Sequence, residues 1–110
     1  SQRREEFVRR AGFALMAKLA ISDKKADDAV FESFFPYILE GARDERNYVR
    51  KAASWALRRV GKRNLHLNRR AVEVARELGK MDSRSAKLIA REAMKELASE
   101  KLQEKIKNKG

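Results

Sequence analysis

The sequence contains no cysteine, one histidine, one proline and five glycines. The absence of cysteine excludes disulfide bridges and thiolate metal sites. A single histidine leaves too little material for a histidine metal cluster or a serine–histidine–aspartate triad. No apolar run approaches the roughly 20 residues that a membrane helix needs, and no segment resembles a signal peptide. These absences predict a cytoplasmic protein with no disulfide, no metal cluster and no membrane-spanning helix.

Negative charge is also scarce relative to positive charge. Lysine and arginine number 27 against 16 acidic residues, which gives a formal net charge of +11 at pH 7. Such a field attracts polyanions, of which nucleic acid is the commonest, while an acidic protein and an anionic membrane are alternatives. The 110 residues suffice for one domain with a core of its own.

Apolar residues recur at three- and four-residue spacing almost throughout, and strand patterns are missing. This periodicity predicts an all-α fold of five to six helices. Five repeat helices are expected at about residues 4–20, 27–42, 45–61, 65–79 and 83–98, within one domain over residues 1–98. Pro36 is expected to kink the second helix without ending it, because the apolar pattern continues beyond it. Residues 99–110 carry only Leu102 and Ile106 as apolar anchors, which predicts a charged tail with a marginal helix.

An internal repeat of about 40 residues organises these helices. Residues 7–12 align with residues 48–53 at a shift of 41, and residues 88–93 align with the latter at a shift of 40. Helix pairs with this period are typical of HEAT-like and armadillo-type proteins, whose units stack into a right-handed α-α superhelix. About two and a half units are present, below the usual minimum of about three, and the first residue is not methionine. We therefore expect a piece of a longer protein.

Charge is segregated between the two kinds of helix in this repeat. Residues 26–42 contain four acidic residues and no lysine or arginine, whereas residues 43–63 contain eight basic residues and two acidic ones. In a solenoid, one kind of helix lines the outside and the other lines the groove. We assign the acidic helix to the outside and the basic helix to the groove.

A helical wheel of the third helix, at about 100° per residue, places its small and apolar residues together on the side of the core. Lys51, Trp55, Arg58 and Lys62 fall on the opposite side. Trp55 is therefore expected to project among three cations. Lysine and arginine neutralise phosphates without reading sequence, and an exposed tryptophan can lie on a sugar or stack on a base.

A similar basic stripe runs along the fifth helix, and one slot recurs between repeats. Arg10, Lys51 and Arg91 occupy the same position in three successive repeats, which predicts a ladder of cations across the groove. The sequence thus predicts an interface for the backbone of duplex DNA formed by Arg10, Lys51, Trp55, Arg58, Lys62, Arg84, Lys87 and Arg91.

Other interpretations stay open at this point. A basic stripe on a single helix is more often a solvated surface, and Trp55 could instead pack against an adjacent repeat. The partner could be an acidic protein bound by a HEAT-type scaffold, or RNA. Asp44 and Asp82 are interpreted as helix caps and not as catalytic acids.

Residues 47–64, with the sequence NYVRKAASWALRRVGKRN, resemble the DNA alkylation repair family. These proteins are AlkD-like alkylpurine DNA glycosylases built from HEAT-like repeats. Residues 7–11 resemble the preceding repeat and residues 91–95 the closing repeat. The likeness covers essentially the whole chain and corresponds to the C-terminal half of such a protein.

The resemblance implies removal of N3- and N7-alkylated purines from duplex DNA, without metal or cofactor, and association with the nucleoid while bound. It implies that Arg10 contacts DNA near the lesion, that Trp55 packs against the backbone beside it and that Arg58 contacts the backbone. The catalytic aspartate of the family lies N-terminal to every residue present here. No residue of this chain is therefore expected to be catalytic, and the chain alone is expected to be inactive.

Overall fold

The computed structural model describes the backbone of residues 1–109 and the side chains of residues 1–108. Within this range every regular element is a helix, which confirms the predicted all-α solenoid class. Seven helices follow one another: α1 Gln2–Ser22, α2 Asp28–Glu32, α3 Phe35–Gly41, α4 Asn47–Gly61, α5 Leu65–Gly79, α6 Arg84–Leu97 and α7 Glu100–Lys109. Gly110, the last residue of the predicted tail, lies outside the described residues.

Short polar side chains start four of these helices, and at α7 the Ser99 hydroxyl accepts a hydrogen bond from the Leu102 amide at 3.2 Å. The hydroxyl of Ser1 accepts a hydrogen bond from the Arg4 amide, and the side-chain oxygen of Asn64 accepts one from the Leu67 amide at 2.8 Å. The hydroxyl of Ser83 accepts from the amide of Ala86 at 3.1 Å. Each contact satisfies an amide that has no partner inside its helix. At α6 the cap is therefore Ser83, and Asp82 precedes it.

The expected second helix is divided in two, which corrects the prediction for Pro36. The helix ends at Glu32, a turn follows at Ser33 and Phe34, and Pro36 is the second residue of α3. Proline has no amide hydrogen and its ring collides with the carbonyl four residues earlier, here that of Glu32. At the start of a new helix neither defect matters, because the first amides have no helical partner.

The helices form two layers around one core. Helix α4 packs between α1 and α6, and these three make the first layer. The second layer contains α2, α3 and α5, and α7 packs against the end of α6. Fully buried large side chains fill the space between them: Phe31, Ile38, Val49, Leu57, Val60, Leu67, Leu78, Ile89 and Leu97. Burying each contributes about 1.5–3 kcal/mol, which is the main force holding the layers together.

The buried side chain of Asn68 joins three helix ends. Its amide nitrogen donates to the carbonyls of Gly61 at 3.0 Å and Leu97 at 3.2 Å, the last residues of α4 and α6. Its oxygen accepts a hydrogen bond from Gln103 of α7 at 3.0 Å. Together with the buried side chain of Ile106, these bonds anchor the segment that the sequence marks as a marginal tail.

Candidate nucleic-acid interface

The basic side chains of the α4 stripe lie on the side of the helix that faces away from the core. Its small and branched residues, including Val49, Ala53 and Leu57, are fully buried between α1, α6 and the second layer. On the other side Lys51 is exposed, and Trp55, Arg58 and Lys62 are half-buried. The helical spacing therefore leaves one stripe of polar and aromatic groups on the first layer.

Tyr48 brings together cations from two successive repeats. The guanidinium carbon of Arg10, on α1, lies 5.2 Å from the centre of the Tyr48 ring, and the Lys51 ammonium lies 6.0 Å from it. The Tyr48 side chain is 58% exposed. An aromatic face attracts cations at this range through its quadrupole, so the ring holds two positive charges near each other at the surface. The first two members of the predicted ladder thus meet at one residue.

We call the surface formed by Arg10, Tyr48, Lys51, Trp55, Arg58 and Lys62 the basic face. Trp55 lies within it, but its side chain is less exposed than predicted for a residue that projects into solvent among three cations. Its side chain is half-buried and packs against the apolar core, so only part of the indole reaches solvent. The two interpretations of Trp55, packing and exposure, therefore each describe part of the ring.

Glu96 of α6 neutralises part of the basic face. Its carboxylate contacts the ammonium of Lys62 and accepts a hydrogen bond from Arg58 at 3.3 Å. The guanidinium of Arg58 also donates to the carbonyl and hydroxyl of Ser54, at 3.2 and 3.1 Å. Burial raises the pKa of the Glu96 carboxyl, but the hydrogen bonds and charges of Lys62 and Arg58 outweigh it, so the pKa lies below its ordinary value. Glu96 therefore stays ionised between the two cations.

The predicted residues of α6 occupy different surroundings. Arg84 and Arg91 are exposed, and Arg91 stands beside Glu92, whose carboxylate lies 4.0 Å from the Arg50 guanidinium of α4. The ammonium of Lys87 donates to the carbonyl of Gly79 at 3.3 Å. This carbonyl belongs to the last turn of α5, where the negative end of the helix dipole attracts a cation.

Three residues at or beside this surface were not predicted from the sequence: Tyr48, Glu92 and Glu96. Tyr48 lies three residues before Lys51, hence on the same side of α4, and this spacing would have found it. Glu92 and Glu96 are four residues apart on α6, so both can face the basic residues of α4. The wheel of a single helix could not reveal them, because their partners belong to the neighbouring repeat.

Asp44 has a structural role beside the basic face. Its carboxylate forms ion pairs with Arg46 at 2.6 Å and Arg9 at 3.4 Å and accepts a hydrogen bond from the Arg46 amide at 3.0 Å. The hydrogen bonds of Arg46 lower the pKa of Asp44 despite its burial. Across the described part of the chain, acidic and histidine side chains form no group of three placed to hold a metal. None of the helices described has the length and apolar character that crossing a membrane requires.

Stacked helix pairs that concentrate cations on one layer define an α-helical solenoid protein with a basic face. The family model described as DNA alkylation repair enzyme matches residues 1–97, so the chain belongs to this family. The family match confirms the resemblance that residues 47–64 carry in the sequence. No curated protein and no solved structure gives a significant match to the chain.

Proposed function

We propose that the basic face binds the backbone of duplex DNA within a DNA alkylation repair protein. The observation that carries this proposal is the meeting of Arg10 and Lys51, from successive repeats, on the exposed ring of Tyr48. A solvated stripe needs no such convergence, because like charges separate when nothing holds them together. Membership of the DNA alkylation repair family makes DNA the natural polyanion.

Each part of the basic face has a task in this proposal. Arg10 and Lys51 contact phosphates, which supplies affinity without reading sequence. The exposed part of the Trp55 indole and the ring of Tyr48 lie against sugars. Arg58 and Lys62 reach phosphates by exchanging the Glu96 carboxylate for a phosphate oxygen. Arg84 and Arg91 extend the contact along α6, and Lys87 joins them by leaving the Gly79 carbonyl.

We further propose that these residues hold DNA without cleaving the glycosidic bond. The carboxylates of Glu92 and Glu96 on α6 are engaged with Arg50, Arg58 and Lys62. In the family resemblance, an aspartate that no residue here matches would stabilise positive charge on the sugar while an N3- or N7-alkylated purine departs. An alkylated purine already carries positive charge and is a good leaving group.

The direct test is titration with generic duplex DNA at low salt, followed by the fluorescence of Trp55, the single tryptophan of the chain. We expect a saturable change. With labelled duplex, Arg10→Ala and Trp55→Ala should each weaken binding by about 1 kcal/mol or more. Arg76→Ala removes an equal charge from the exposed surface of α5 and serves as the control. Unchanged affinity in both basic-face variants would contradict the proposed face.

A scaffold that binds an acidic protein is the second candidate. It is favoured by apolar side chains that remain largely exposed on α1 and α3, namely Phe7, Val8, Leu15 and Tyr37. Such residues are typical of protein contacts and have no use in binding phosphates. Competition between duplex DNA and an acidic helical peptide, at matched ionic strength, separates the candidates. Displacement of the duplex only by unlabelled duplex supports the DNA proposal.

A further inference from the structure

A second concentration of positive charge lies in a pocket where α4 ends. The pocket has a volume of about 240 Å³ and is lined by Lys24, Arg59, Lys62, Arg63 and Asn64. Lys24 belongs to the segment between α1 and α2, and Asn64 is the N-cap of α5. Two segments of the chain, the one between α1 and α2 and the junction of α4 with α5, therefore line the same hollow with four cationic side chains and Asn64.

Hydrogen bonds to carbonyls hold one of these cations in place without cancelling its charge. Arg63 donates to the carbonyls of Ala20 at 3.0 Å and Asp23 at 2.7 Å, at the end of α1. Its guanidinium carbon also lies 3.9 Å from the centre of the Phe31 ring. These neighbours carry no net charge, but the carbonyls lie at the negative end of the α1 dipole, so they offset part of the charge of Arg63 and fix its guanidinium at the wall of the pocket.

Arg59 adds a second cation to the wall of the pocket. Its Nε atom is buried and has no hydrogen-bond partner among the residues that the structure describes. A buried donor without a partner costs about 1–3 kcal/mol. Unlike Lys62, whose charge Glu96 compensates, Arg59 and Lys24 meet no carboxylate among the residues that line the pocket.

We propose that this pocket binds a phosphate group. Converging cations in a partly enclosed space repel one another, and a multivalent anion relieves that repulsion. Arginine favours phosphate oxygens over spherical anions because its planar group can donate two parallel hydrogen bonds.

The phosphate can belong to a nucleic-acid backbone or be free in solution. The first case rests on the proposed DNA binding and is geometrically consistent with it. Lys62 belongs both to the basic face and to the pocket, eleven residues after Lys51 on α4. At about 1.5 Å per residue the two positions are about 16 Å apart, close to five base-pair steps of about 3.4 Å. The pocket would then hold a backbone phosphate beyond those bound near Tyr48.

Titration of the ¹⁵N-labelled chain with inorganic phosphate, at constant ionic strength, tests the pocket itself. We expect saturable shifts of the amides of Lys24, Arg59 and Asn64. Both Arg59→Gln and Lys24→Gln should weaken this binding at least fivefold, while Lys105→Gln, on exposed α7, should not change it. Lys24 is exposed, so its variant tests the pocket even if Arg59→Gln perturbs the fold. Shifts that do not saturate, or that persist equally in both variants, would overturn the proposal.

The salt dependence of duplex binding separates the two sources of phosphate. If the pocket holds a backbone phosphate, Arg59→Gln should reduce the magnitude of the negative slope of log affinity against log salt by about 0.9. An unchanged slope with saturable inorganic phosphate binding assigns the pocket to free phosphate. If inorganic phosphate binds saturably but the duplex does not bind at all, the pocket is supported and the proposed function is refuted. A third outcome is that Arg10→Ala weakens duplex binding, while inorganic phosphate does not bind saturably and Arg59→Gln leaves the salt slope unchanged. This outcome refutes only the pocket.

Discussion

The carboxylate of Glu96 on α6 contacts the ammonium of Lys62 at the end of α4, so a carboxylate occupies a position where a DNA phosphate would bind. The same carboxylate also holds Arg58. Contacts between successive repeats therefore limit how much of the positive charge is available to a ligand. Pairs as exposed as these contribute little to stability, about 0–1 kcal/mol, and their larger effect is on binding.

Glu96→Gln should strengthen duplex binding and steepen its salt dependence, because Arg58 and Lys62 become free to contact phosphates. Each phosphate newly contacted makes the slope of log affinity against log salt more negative by about 0.9. Fluorescence anisotropy of labelled duplex over a series of salt concentrations measures both quantities. Glu104→Gln makes the same change of net charge on the exposed surface of α7 and serves as the control. Equal slopes in the two variants would rule out this role of Glu96.

The free energy of unfolding should decrease in acid because Asp44 and Glu96 have lowered pKa values in the fold. A carboxyl with a lowered folded pKa stabilises the protein fully above its unfolded pKa of about 4. That contribution disappears as the pH falls through the still lower folded pKa. Urea unfolding at pH 7, 5, 4 and 3 should therefore show a loss of stability from about pH 4 downward. The double variant Asp44→Asn, Glu96→Gln should show a shallower loss, and an identical pH profile would contradict this account.

Asn68→Leu should lower the free energy of unfolding by about 2 kcal/mol or more. The leucine leaves the carbonyls of Gly61 and Leu97 with one donor fewer each and removes one of the two acceptors of Gln103 in a buried place. Urea denaturation at neutral pH gives the measurement. Asn108→Leu, at an exposed position of α7, makes the same chemical change and should have little effect.

Substitutions at two helical glycines should have opposite effects. A Cβ at Gly41 would overlap the ring of Phe13, so Gly41→Ala should destabilise the fold by about 1–3 kcal/mol. A Cβ at Gly12 meets no atom within 4 Å, so Gly12→Ala should stabilise α1 by up to about 1 kcal/mol. Thermal unfolding of both variants gives the comparison. Stabilisation of both would show that the Phe13 ring moves aside without cost.

The repeat and the spacing of apolar residues predicted the all-helical fold, because burial of one side of each helix imposes that spacing. The division of the second helix was not predicted. The apolar pattern continues past Pro36, but the backbone conflict between Pro36 and the Glu32 carbonyl decides where the helix ends. Stretches of favourable side chains cannot reveal such a local steric effect.

The sequence predicted the basic residues of the candidate site but not the aromatic ring and the carboxylates that contact them. Lys51 and Arg10 share a slot in the repeat, and the structure brings both to Tyr48. The partners of Arg58 and Lys62 belong to the next repeat, and the burial of half of Trp55 depends on packing against the core. These features follow from how repeats dock, which a pattern within one helix does not contain.

The amide of Asn68 bonds to the last carbonyls of both α4 and α6, which ties the ends of two successive repeats to one side chain. In a stack of repeats each unit contacts only its neighbours, so the stack can bend at the junctions between units. Here one buried side chain joins the ends of α4 and α6, so these two helices are expected to move together when the stack bends. A ligand that curves could thus be followed by a change in the separation of Arg10 and Lys51 while the C-terminal repeats move as one body.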